Sequence, residues 1–205
     1  MKKLSFLALL TVLCLPIVAL AQEEAPIYEF YGGFSIVRAN PLQDPFNGNF
    51  LPTKLNSKGF NIGFTANFTR HFGGVIEFGR FSKFIQTTAS TQTPASPLND
   101  IRNNFLETYP ILFGLRYTPV RGKVEPFVHG LPGYAYSSVT PINSIFSSTG
   151  MANFALALGG GVDVKVNKNI AIRAGQFDFI RITSPGQSIN NFRYSTGVVL
   201  RLGSR

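Results

Sequence analysis

Between Phe60 and Arg70 the chain reads as two interleaved rows. Phe60, Ile62, Phe64, Ala66 and Phe68 make one, wholly apolar; Asn61, Gly63, Thr65 and Asn67 make the other, small and polar. A period of two marks an extended strand, whose successive side chains point to opposite faces. The same alternation recurs and predicts eight strands along the chain. The first spans 27–39, with Tyr28, Phe30, Phe34 and Ile36 opposed to Glu29, Tyr31, Gly33 and Ser35. The second is the Phe60 stretch itself. A third, near 74–84, sets Ile76 and Phe78 against Glu77 and Gly79; a fourth, about 105–117, sets Tyr109, Ile111, Phe113, Leu115 and Tyr117 against Thr108, Leu112, Gly114 and Arg116. The fifth, 124–136, has a blurred parity. The sixth alternates Phe154, Leu156, Leu158, Val162 and Val164 with Ala155, Ala157, Gly159, Gly161, Asp163 and Lys165. The seventh opens at Ile170, and the eighth pairs Phe192, Tyr194, Val198, Leu200 and Leu202 with Arg193, Ser195, Gly197 and Arg201. Pro110, Pro126 and Pro132 fall inside strands and predict bulges or strand ends. Gln176 and Asp178 land on the apolar row, which predicts a register shift or emergence from the membrane.

The connections alternate. Long polar stretches are expected at 40–57, 86–103, 137–151 and 182–190, and short turns near Arg70-His71-Phe72, Pro119 to Lys123, and Asn167-Lys168-Asn169. One end of the sheet therefore carries large loops and the other tight turns, as in bacterial outer-membrane barrels. No linker or second domain is expected after the eighth strand.

Two solvents could face the apolar row. A soluble lipocalin-like barrel would turn it inward around a ligand and expose a charged row to water. The opposite row here is mostly Gly, Ala, Ser, Asn and Thr, which suits a confined lumen better than an open surface. The 20 Phe residues would overfill an eight-stranded interior but fit a lipid-facing band with aromatic girdles. The expected architecture is an all-β, eight-stranded antiparallel up-and-down transmembrane barrel.

Residues 1–21 read as a cleaved signal peptide, and 22–205 as the barrel domain. Lys2 and Lys3 precede an apolar run, and Ala19-Leu20-Ala21 forms a cleavage site ahead of Gln22. Cys14 lies in this leader behind Leu13, too large a neighbour for a lipoprotein signal, so the exported chain carries no cysteine. Loss of the two lysines takes the formal charge from +9 to +7 (9 − 2). The basic residues are dispersed rather than clustered with stacking aromatics, which speaks against nucleic acid.

On the small-residue row, Glu29, Glu77, Arg116, Glu125, Asp163, Lys165, Arg173, Arg193 and Arg201 predict a lumenal ion-pair network, since buried charges are tolerated when paired. A conduction path or proton relay is the functional alternative. Arg116 and Arg173 are expected to meet Glu29, Glu77 or Asp163. His129, mid-strand, is read as a lumen-filling histidine and His71 as a turn histidine. With two histidines and no exported cysteine, neither a nucleophile–base pair nor a metal set emerges, and no cofactor is expected. A wide pore needs about 16 strands. The alternatives kept are a lipid-modifying enzyme or a narrow channel. Near the outer rim Arg38, Lys54, Lys58, Lys83, Arg102 and Arg181 outnumber Asp44 and Asp100. Such a rim could meet lipopolysaccharide phosphates or simply snorkel at the interface.

With this pattern in place, "YEFYGGFSIVR", "EPFVHGLPGYAY", "FALALGGGVDVKVNKNIAIRAGQFDF" and "STGVVLRLG" resemble the outer-membrane β-barrel domain family, of the OmpA/OmpX-like eight-stranded type. The resemblance implies an outer-membrane location, a monomeric barrel among outer-membrane lipids, and insertion by the barrel-assembly machinery. Members often end on an aromatic; here Leu202 stands in that place. It implies no catalytic motif, and what the loops bind is left open.

Overall fold

The computed structural model describes residues 25–39, 55–90, 99–141, 149–184 and 187–204. Eight strands follow in chain order: β1 (Tyr28–Ala39), β2 (Leu55–Asn67), β3 (Phe72–Ser90), β4 (Asn99–Tyr117), β5 (Val124–Pro141), β6 (Thr149–Lys165), β7 (Ile170–Ser184) and β8 (Gln187–Leu202). Each pairs antiparallel with its sequence neighbour, and β8 pairs with β1 to close the barrel. Following paired residues around the wall, Tyr28–Ala66–Gly74–Leu115–Gly130–Leu158–Phe179–Phe192 leads back to β1 at Arg38. The walk gains ten residues (38 − 28 = 10). At ~3.3 Å per residue and ~4.8 Å between strands, that shear tilts the strands by roughly 40°.

The parity is that expected. Phe30, Phe34, Phe60, Ile62, Ile76, Ile111, Phe113, Leu115 and Leu158 are exposed outward, while Glu29, Ser35, Asn61, Glu77 and Asp163 are buried inside. An unbroken apolar belt of this kind is not a water-facing surface. The blurred parity of β5 resolves with Glu125, Phe127, His129, Leu131 and Ala135 inward and Val128, Tyr134 and Tyr136 outward. Phe127 and Leu131 on the inner row are what blurred it. Two short turns are closed by side chains: Thr69 Oγ1 accepts from Phe72 N at 2.9 Å, and Asn167 Oδ1 from Asn169 N and Ile170 N at 2.8 Å. Such side-chain acceptors stand in for backbone turn bonds.

Three expectations are corrected. The strands run further at the open end than the apolar rows do, and β7 ends at Ser184 opposite Gln187 of β8. The fourth connection is thus a tight hairpin, not a long loop. Above the apolar belt both faces of a strand are polar, so the period disappears where the strand does not. The prolines produce no register shift. Pairing of β3 with β4 skips Pro110, and pairing of β4 with β5 skips Pro132, and each resumes in the same register. Missing ladder bonds are tolerated there without a bulge. Pro126 stays paired with Val162 of β6 near the start of β5.

The bulge lies elsewhere. The β7 register shifts against both neighbours between Arg173 and Gln176. The extra residue turns Gln176 and Asp178, nominally on the apolar row, into the lumen, where both are buried. Of the two outcomes expected for them, the register shift is the one observed. Carbonyls near a bulge in a lipid-facing wall need partners from the protein. Thr196 Oγ1 donates to Arg173 O at 2.9 Å, and Tyr194 Oη to Ala174 O at 3.2 Å.

Candidate functional site

The half of the interior nearer the short turns holds one connected set of charges. Glu29, near the start of β1, accepts from Arg116 Nη1 at 2.9 Å, from Asn67 Nδ2 at 3.0 Å and from Arg121 Nη1 at 3.0 Å. Arg116 carries the set across to β6, its Nη2 donating to Asp163 Oδ2 at 2.8 Å. Asp163 also accepts from Arg173 Nε at 2.8 Å, and Arg173 Nη1 donates to Gln176 Oε1 at 2.6 Å. Gln176 Nε2 donates to Asp178 Oδ2 at 2.8 Å. Arg193 of β8 joins Asp178 through Nε at 2.8 Å and Glu77 through Nη1 at 2.5 Å. His129 Nε2 lies 2.6 Å from Asp178 Oδ1. Arg201 grips Glu125 with two parallel bonds, 3.1 and 2.7 Å, and Arg121 Nη1 reaches Glu125 Oε2 at 3.1 Å. The five carboxylates (Glu29, Glu77, Glu125, Asp163, Asp178) face five guanidiniums (Arg116, Arg121, Arg173, Arg193, Arg201), all buried.

Such a set survives desolvation because each ion lies within ion-pairing distance of an opposite charge, most of them through charge-assisted hydrogen bonds. Aromatic faces add to it. Phe127 contacts two guanidiniums, with the Cζ atoms of Arg116 and Arg173 at 4.0 and 4.5 Å from its ring centre. Arg173 also covers Tyr31 at 4.1 Å. These contacts use the negative ring face in a dry environment, where it is strongest.

The expected lumenal residues Glu29, Glu77, Arg116, Glu125, His129, Asp163, Arg173, Arg193 and Arg201 all lie in this set. Lys165 is half-buried at the end of β6, where its N–H donates to Lys123 O at 2.8 Å. Four members were not named for the network: Asn67, expected only as part of the small polar row; Gln176 and Asp178, flagged only for a register shift or emergence; and Arg121, not expected at all. Arg121 comes from the β4–β5 turn and folds back under the barrel, donating to Arg70 O at 3.0 Å and Asn67 Oδ1 at 3.2 Å. A turn has no period to betray an inward side chain; only an arginine among small turn residues could have hinted at it.

Toward the other end the interior changes character. Leu112, Leu131, Ala135, Ala155, Ala157 and Ile180 form an apolar cluster, and the facing wall carries a hydroxyl–amide group. There Ser35 Oγ donates to Asn61 Oδ1 at 2.6 Å and lies 2.8 Å from Ser195 Oγ. Tyr31 packs over Gly33, where a β-carbon would strike its hydroxyl. Among the described residues, no side-chain hydroxyl hydrogen-bonds to either imidazole ring. No group of three or more His, Cys, Asp or Glu is placed there to hold a metal ion. His71 Nδ1 lies 3.0 Å from Thr118 O in the turn region.

The outer face ends its apolar rows in a basic arc. Climbing β1, β2, β3 and β7, the first outward position above the belt is Arg38, Lys58, Arg80 and Arg181, and each is exposed. Their heights nearly agree. Each step to the next strand gains slightly more than one residue of height (10/8), and successive arc members sit two residues lower against their neighbour. Lys58 lies two below Asn56, the partner of Arg38; Arg80 pairs with Phe60, two below Lys58. Arg181 pairs with Asn190, two above Phe192, the partner of Arg38. The spread is roughly 4 Å. At the same height β4, β5 and β6 carry Tyr109, Tyr134 and Phe154, the last two edge to face at 6.3 Å. Lys83 corrects its expectation: it shares the inward parity of Phe81 and overlooks the lumen rather than the lipid. Lys54, Asp44, the side chains of Arg102 and Asp100, and the leader residues Ala19, Ala21 and Gln22 lie outside the described residues.

The sequence model of the outer membrane protein beta-barrel domain matches residues 5–201. The chain belongs to that family. Among solved structures, Neisserial surface protein A is similar at TM-score 0.61 and 12% identity, covering 85% of this chain and 97% of that one. Ail, the attachment invasion locus protein of Yersinia pestis, solved with the heparin analogue sucrose octasulfate, is similar at TM-score 0.55 and 16% identity, covering 89% and 100%. At these identities the likeness is one of fold. No curated protein matches the chain. As a member of this outer-membrane barrel family the protein resides in the outer membrane of the Gram-negative envelope, and its apolar belt is the lipid-facing surface.

Proposed function

We propose that the protein is a non-enzymatic, monomeric barrel, closed to bulk flow through its interior, that works through its outward end. The observation supporting this is the charge-matched set crossing the lumen from β1 to β4, β6 and β8, capped from beneath by Arg121. A filled interior supports the envelope and displays loops; it leaves little room for solutes. In this reading residues 1–21 are removed and Gln22 becomes the first residue. The barrel-assembly machinery inserts the chain, and outer-leaflet lipid, lipopolysaccharide included, surrounds it. No nucleic acid enters. The short turns face the periplasm, as is usual for such barrels.

Planar-bilayer recording and lipid hydrolysis assays on the refolded protein test the reading together. The expected outcome is at most a small, rare conductance and no turnover. Large stable channels, or lipid deacylation abolished by His129→Ala, would overturn it. Intact mass of the envelope fraction tests the leader: a retained segment or an acylated Cys14 contradicts it.

A further inference from the structure

We infer that β4 is a lateral seam, the strand along which the wall parts in the half away from the short turns. Parting there opens the apolar part of the interior sideways to the surrounding hydrocarbon. The inference needs only the lipid-facing belt and goes beyond the reading of a barrel closed along its axis.

A backbone bond broken within a bilayer finds no water to replace it, so a wall parts where the fewest bonds remain to be broken. The seams of this wall differ in that respect. β1 is paired without interruption from Tyr28 to Ala39 with both β2 and β8, and β5 with β6 from Val124 to Val139. The seam that closes the barrel is therefore not its weak point. β4 is interrupted on both edges. Against β3 the ladder stops at Phe78–Ile111 and resumes at Phe81–Thr108. Against β5 it stops at Leu112–Gly133 and resumes at Leu115–Gly130. Pro110 and Pro132 have no N–H to give at these gaps. At the β7 bulge, hydroxyls of Thr196 and Tyr194 take up backbone carbonyls. Among the described residues, neither gap beside β4 has such a side-chain donor.

Behind the gaps the interior carries no charge. β4 turns Pro110 and Leu112 inward, between Gly79 and Phe81 of β3 and Leu131 and Gly133 of β5, and all are buried. Leu112 and Leu131 belong to the apolar cluster. Arg116, through which β4 joins the ion set, lies nearer the short turns, so parting above it leaves its pairs with Glu29 and Asp163 whole. The gap beside β3 is fastened by side chains instead of backbone. Outside, Arg80 of β3 gives Nη2 to Glu107 of β4 at 2.7 Å, and Tyr109 Oη donates to the same carboxylate at 2.8 Å. Inside, the Phe81 ring covers Gly79: a β-carbon there would sit 2.9 Å from the ring and 3.2 Å from Pro110 Cγ. An ion pair whose arginine is half exposed is weak, and a ring can turn. Both fastenings release without unfolding a strand. They form a clasp.

The test uses the whole chain refolded into phosphatidylcholine nanodiscs, with its single cysteine removed by Cys14→Ser. Relaxation-dispersion NMR reads microsecond-to-millisecond opening amide by amide. Broadening of the Leu112 and Leu131 methyl signals by an apolar nitroxide dissolved in the bilayer reads access to the interior. Exchange is expected at the amides flanking both gaps and not along β1 or β2, together with methyl broadening. Glu107→Gln, which removes the carboxylate held by Arg80 and Tyr109, should raise the open population at least threefold. Arg80→Cys/Tyr109→Cys places thiols opposite one another across the gap beside β3; its oxidised form should lose both signals and its reduced form regain them. Phe34→Cys/Phe60→Cys, an opposed pair in the unbroken β1–β2 ladder, should change neither on oxidation. Gel mobility of the unheated samples verifies that each variant is folded. Exchange spread evenly over the strands, centred on the β7 bulge, or insensitive to the disulfide between positions 80 and 109 overturns the inference.

Discussion

The barrel carries two populations of arginine and lysine, one inside and one outside, and they are held by opposite means. Inside, Arg116 and Arg193 are almost wholly buried and have carboxylates on more than one strand. Outside, Arg38 and Lys58 are exposed and make no ion pair among the described residues. A buried charge is retained only because its partners replace water; an interfacial charge needs no partner within the protein. The same residue type thus fixes the interior and leaves the rim exposed.

That difference can be broken most sharply at Arg116. Replacement by alanine leaves Glu29 with Arg121 alone and Asp163 with Arg173 alone, in a buried set that turns net negative, and is expected to cost ~3–5 kcal/mol, read from urea unfolding in lipid vesicles. An unchanged midpoint would remove Arg116 from any supporting role. Next in size is the reverse experiment, a charge placed where neither water nor a partner is available. Phe64→Arg, on the lipid-facing row of β2, should cost roughly 2–4 kcal/mol near the midplane. A smaller loss is expected at the bulge. Tyr194→Phe removes the hydroxyl that caps Ala174 O and should destabilise by about 1 kcal/mol in the same assay. If it does not, lipid or backbone relaxation satisfies that carbonyl. The smallest change belongs to the rim: Arg38→Gln should stay within ~0.5 kcal/mol of wild type. Destabilisation comparable to Arg116→Ala would erase the distinction between the two populations.

The strands were legible because a lipid-facing wall forces a strict period of two, and residues such as Phe64 and Asn61 declare their faces. Their outer ends were not, since Thr183 and Ser188 lie where both faces meet water. The candidate interior was readable wherever a charge interrupted a row of small residues, as at Glu77 or Arg173. Its partners were not, because they depend on the shear, which has no local signature. Asp178 was visible only as a violation of parity, and the single extra residue before it explains why. Arg121 left no trace because its position is set by a turn closing beneath the lumen, a tertiary event. Lys83 was misplaced because parity beyond the belt can be traced only once the register is known.

The charge balance of the interior is divided unevenly among the strands. The five carboxylates come from β1, β3, β5, β6 and β7, whereas two of the five arginines, Arg193 and Arg201, come from β8. Without the last strand the set stands at five negative against three positive groups, an excess of two (5 − 3). Pairing of β8 with β1 closes the wall, and the same strand supplies the two guanidiniums that cancel the excess. Loss of either arginine would leave the closed interior net negative, so the strand that completes the ladder also completes its electrical neutrality.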